Sequence, residues 1–74
     1  MNSKLLMKAC SISIKLNSME TDYIASVQIS KYSTWLYVMN GSKNCEYIFN
    51  RHSYCEEDLH EYIKLVKNII GANK

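Results

Sequence analysis

Cys45, His52, Cys55 and His60 form the run C-x6-H-x2-C-x4-H, which holds the donor types of a tetrahedral zinc site. The intervals depart from those of common zinc fingers. Cys55 also falls on an apolar helical stripe, and His60 falls on another side of the same helix, so ordinary packing accounts for the set as a core cysteine with two solvated histidines. No metal or cofactor is expected. Nucleophilic catalysis needs a cysteine or serine beside a base and an orienting third group, and no stretch of the chain supplies these locally. A helix start would acidify the Cys55 thiol, but the neighbouring Glu56, Glu57 and Asp58 oppose a thiolate. With no glycine-rich phosphate loop and no organised carboxylate pair, an enzyme is not expected.

Two other groups have the chemistry of binding. Trp35, Tyr37 and Met39 alternate within the run Trp35-Leu36-Tyr37-Val38-Met39, which is apolar at every position. Glu56, Glu57, Asp58 and Glu61 crowd into the start of a helical stretch. They complement the positive end of the helix dipole, and they would also meet a basic partner surface.

The elements that must hold these side chains are legible from periodicity. Lys8 to Leu16 alternates, with Cys10, Ile12, Ile14 and Leu16 on one side, which predicts a half-buried strand. Asn17 to Asp22 turns the chain, and Tyr23 to Ser30 alternates again. A third strand covers Ser33 to Met39 and a fourth runs from about Asn44 to Asn50. They are joined through Asn40-Gly41, whose residue types favour a two-residue turn with positive φ at both positions. From Cys55 onward the period lengthens, with Leu59, Tyr62, Ile63, Val66, Ile69 and Ile70 on one helical face. Ser53 to Glu56 reads as a capping box and Gly71 as the stop.

The expected architecture is α+β: a four-stranded antiparallel meander with one C-terminal helix packed on one face, a two-layer ββββα unit. Residues 1–7 are expected as a loose lead-in and residues 8–74 as the single domain. Parity then sorts the third strand. A two-residue turn at Lys31-Tyr32 sets Val27 opposite Leu36 and Ala25 opposite Val38 on the helix-covered face. Trp35 and Tyr37 then fall opposite Gln28 and Ser26 on the outer face. An even loop at Asn40-Gly41 would add Cys45, Tyr47 and Phe49 to the core and leave Glu46 and Ile48 outside. A loop of odd length would reverse that assignment. Residues 1–7, through Leu5, Leu6 and Met7, could fold back over the aromatic strip.

The 74 residues suffice for one domain with a marginal core, burying roughly 60% of the unfolded surface. Three cysteines without CxxC spacing point to free thiols in a reducing compartment. Lys8 breaks the N-terminal apolar run too early for a signal peptide, and no run reaches transmembrane length, so a soluble, cytoplasmic protein is expected with no membrane partner. Abundant Lys, Asn, Ile and Tyr beside scarce Gly, Ala, Arg and Pro suggest an A+T-rich genome, such as that of a low-GC bacterium or its phage.

These readings converge on a small non-enzymatic protein-binding module, such as an inhibitor or accessory protein of a phage or mobile element, with an anti-defence role such as CRISPR inhibition as one example. It would act by occlusion. Trp35, Tyr37 and Met39 would anchor, with Lys15, Gln28, Asn44 and Glu46 as the rim, on a protein partner or on a second copy in a homodimer. The alternative is a nucleic-acid-binding domain that stacks bases on the sheet aromatics. The net charge of +2 and the few cations near the strip weigh against it.

Overall fold

The computed structural model describes residues 3–31, 33–42 and 44–73. The chain runs α1 (Ser3–Asn17), β1 (Tyr23–Ile29), β2 (Thr34–Asn40), β3 (Glu46–His52) and α2 (Glu56–Ala72). The sheet is antiparallel in the order β1-β2-β3. Both helices lie on one of its faces. The fold is α+β as expected, but the sheet has three strands and there are two helices, so the ββββα arrangement is incorrect.

The error lies wholly in residues 3–17. Two apolar periods coexist there: the alternation Cys10, Ile12, Ile14, Leu16, and the helical series Leu5, Ala9, Ile12, Leu16, whose face also carries the small polar Ser13. The helical series wins because it runs on through Leu5 and Leu6, which pack against the core, and so spans a length no single strand here needs. A helix about 10 Å wide covers roughly two strands spaced about 4.8 Å apart, so a three-stranded sheet needs a second helix to close its inner face. α2 covers β2 and β3, where Tyr62 meets Phe49 edge-on at 5.8 Å. α1 covers β1 beside it. Ser3 to Met7, expected as a lead-in, form the opening turns of α1.

The core between the layers contains Leu16, Ala25, Leu36, Val38, Phe49, Leu59, Tyr62 and Val66, among others. One polar contact is sealed inside it. The Ser13 hydroxyl donates to the Ala9 carbonyl at 2.7 Å, which uses its only proton, so the Tyr62 phenol donates to Ser13 Oγ. Burial pushes the Tyr62 hydroxyl up from its ordinary 10.0 to about 12. A phenol whose folded value is raised contributes stability that is complete below pH 10.0 and is lost as pH climbs toward 12. Wild type is therefore expected to lose on the order of 2 kcal/mol across this window relative to a Tyr62→Phe variant. Urea titrations of both chains at stepped alkaline pH check this, and parallel pH profiles would refute it.

Several local details also depart from expectation. α2 is capped by Cys55 and not by Ser53: the Asp58 carboxylate accepts from the Cys55 amide at 3.0 Å and its thiol at 3.4 Å. Ser53 has a φ of 52°, outside the extended backbone an N-cap adopts. The helix continues through Gly71 to an Asn73 cap, whose amide reaches the Ile69 and Ile70 carbonyls. At Asn40-Gly41 the two-residue turn is replaced by a longer loop over residues 41–45, with positive φ at Asn44 and Cys45 and at no glycine. The Gly41 amide donates to the Asp22 carbonyl at 2.8 Å, extending the ladder one step further. A Cβ at Gly41 would stand 3.3 Å from that same oxygen, which explains the glycine by close approach and not by turn type.

Candidate functional site

The β1–β2 register matches the parity argument: Ala25 pairs with Val38, Val27 with Leu36, Ser26 with Tyr37 and Gln28 with Trp35. Leu36 and Val38 are fully buried beneath the helices, and Trp35, Tyr37 and Met39 stand half-buried on the opposite face. Ser3 to Met7 belong to α1 on the helical side, so these residues do not cover the strip.

The third strand follows neither expected register throughout. The loop over 41–45 is of the odd length that sets Tyr47 opposite Met39. A bulge between Val38 and Met39 then restores Phe49 to the inner face opposite Val38. Tyr47 is thus on the outer face and not in the core. Ile48, at the irregularity, is 45% exposed. Cys45, expected inside, is exposed in the loop. Glu46 pairs with Asn40 at the start of β3, and the residue opposite Trp35 is His52.

The outer face carries one connected cluster of rings. Trp35 lies 4.5 Å from Tyr37, 6.1 Å from Tyr47 and 5.0 Å from His52, the last pair nearly parallel at 12°. Tyr37 meets Tyr47 edge-on at 5.5 Å. The Trp35 indole N–H donates to the Asn50 side-chain oxygen. Trp35 and Tyr37 touch along β2, the other contacts cross from β2 to β3, and together they hold the rings in one arrangement. Ile24, opposite Met39, extends the apolar surface, and Ser26, Gln28 and Asn50 edge it with neutral polar groups. Among the described strand residues that share this face there is no Lys, Arg, Asp or Glu.

Of the expected rim, Gln28 lies on the face beside Trp35. Asn44 and Glu46 sit at the loop end of β3. Lys15 belongs to α1, on the other side of the sheet, and does not reach the strip. Tyr47, Asn50 and His52 were missed. Their placement follows only from the loop length and the bulge, and no residue type announces a bulge at Ile48.

The acidic group is divided by its local roles. Asp58 is committed to the helix cap and to Arg51, whose Nε stands 3.5 Å from Oδ1. The Cys55 amide foremost holds the Asp58 carboxyl below its usual 3.8, against an opposing burial penalty, with the Cys55 thiol and then Arg51 adding smaller contributions in the same downward direction. Arg51 also lies over the Phe49 ring at 4.8 Å. Glu56, Glu57 and Glu61 are exposed. Cys55, expected in the core, is the exposed cap residue. Among the described residues no three His, Cys, Asp or Glu side chains converge as metal ligands would. No described helix is long and apolar enough to cross a membrane. No family model, curated protein or solved structure matches the chain.

Proposed function

We propose that the chain is a non-enzymatic protein-binding module, an inhibitor or accessory factor that seats the open face of its sheet on a partner protein and occludes that surface. The observation that carries this reading is the uncharged ring cluster of Trp35, Tyr37 and Tyr47 with Met39, held in place on a face that neither helix covers. Interface centres are enriched in these residue types and depleted of charge, and rigid rings lose little entropy on binding. Ser26, Gln28 and Asn50 suit the polar rim. A base-stacking platform fits less well. One face of the Trp35 indole is already taken by His52, and a backbone-tracking surface needs cations that this face lacks.

Salt dependence tests the reading on a partner captured from the native cell. Affinity for that protein is expected to change little as salt is raised, and a thymidine oligonucleotide should not compete. A steep fall with salt, or competition by the oligonucleotide, would replace the protein partner with nucleic acid.

A further inference from the structure

Asn40 is the one asparagine of the chain that is followed by glycine. That pair has a chemistry of its own. The backbone nitrogen of the following residue can attack the asparagine side-chain carbon, and glycine, which has no Cβ, obstructs the approach least. At the end of β2 the two reacting groups are held in opposite conditions.

The carbon is primed for attack. Asn40 Oδ1 accepts from the Ser42 amide at 3.0 Å and from the Ser42 hydroxyl at 2.8 Å, two donors placed to hold the negative charge this oxygen gains when Cγ is attacked. The nitrogen is withheld. The Gly41 amide donates to the Asp22 carbonyl at 2.8 Å, a bond that keeps the proton the attack must remove. Ring closure through Cγ and the Gly41 nitrogen also needs a backbone turn at Asn40. Its ladder places opposite Tyr23 and Glu46 exclude that turn.

We propose that Asn40-Gly41 is a self-modification site that the intact sheet keeps closed: when the start of β1 parts from the end of β2, Asn40 deamidates, and the product cannot resume the native pairing. Solvent base takes the Gly41 amide proton, the nitrogen bonds to Asn40 Cγ, the Cγ–Nδ2 bond breaks, and Nδ2 leaves as ammonia with a proton returned by solvent. Water then opens the succinimide at either carbonyl, giving aspartate or isoaspartate, with no change of oxidation state. Aspartate puts a carboxylate at a position only 8% exposed and directly opposite Glu46, where burial and like charge both oppose it. Isoaspartate also routes the main chain through the former side chain, one atom longer, so Gly41 loses its register with Asp22. Opening of this end of the sheet thereby becomes irreversible and limits the life of the folded chain.

The test is mass spectrometry with peptide mapping of the chain held at mildly alkaline pH, with and without guanidinium chloride at an unfolding concentration. In the unfolded chain, conversion is expected at Asn40 ahead of every other asparagine, and Gly41→Ala, whose Cβ hinders the nitrogen, should slow it several-fold. The native chain should convert at least about tenfold more slowly, because only its opened fraction reacts. Guanidinium below the unfolding range should raise the native rate in proportion to hydrogen exchange at the Gly41 amide, since both require the bond to Asp22 to open. Asn40→Asp, which reproduces one product, should lower the ratio of folded to unfolded chain by about tenfold or more, and adding Glu46→Gln should recover part of the loss. Equal rates with and without denaturant, native conversion out of step with Gly41 exchange, or an Asn40→Asp chain as stable as wild type would overturn the proposal.

Discussion

Replacing Trp35 and Tyr37 together with Ser is expected to weaken partner binding by roughly 100-fold or more while leaving the chain folded. Buried aromatic anchors at an interface centre commonly contribute about 2 kcal/mol or more each, and these two rings sit mid-face with contacts to each other and to Tyr47. Their loss costs the fold far less. Neither ring enters the core, whose β2 members are Leu36 and Val38. What disappears is a set of cross-strand ring contacts and one indole hydrogen bond to Asn50, about 1 to 2 kcal/mol in sum. Calorimetric affinity and thermal melting by circular dichroism, measured on the same two proteins, check both halves. Trp35 is the sole tryptophan, so its fluorescence cannot serve as the common signal. If the double variant unfolds, or binds its partner unchanged, the open face is not the docking surface.

The sequence was informative where one period stood alone. Tyr23 to Ile29 alternates without a competing pattern, and the turn at Lys31-Tyr32 sets the observed pairing of Ala25 with Val38 and Val27 with Leu36. Tyr32 itself lies outside the described residues. Leu59, Tyr62, Ile63, Val66, Ile69 and Ile70 were read as one helical face, and all six are buried. The reading failed where two signals overlapped or where the deciding contact was distant. Residues 8–16 satisfy both periods, and what chooses between them is an unfinished sheet face that only a helix can close. At Asn40-Gly41 the local preference for a tight turn loses to the Asp22 carbonyl, which is remote in sequence. The site inherits both kinds of failure: Tyr47 reached the outer face through the odd loop, Asn50 and His52 through the bulge beyond it, and Lys15 left the rim when its strand became a helix.

The helical assignment of residues 3–17 makes a demand that a strand would not. In a strand, Ile14 and Leu16 point the same way and should cost alike when shortened. In a helix, residues two apart are turned by about 200°, so one is inside and the other out. Leu16 is fully buried and Ile14 is 70% exposed. Leu16→Ala is therefore expected to cost about 2 to 5 kcal/mol, enough to leave a domain this small largely unfolded at room temperature. Ile14→Ala should stay within about 0.5 kcal/mol of wild type, since the lost surface faces water and Ala is the better helix former. Urea midpoints for the two variants decide the matter, and equal losses would return these residues to the sheet.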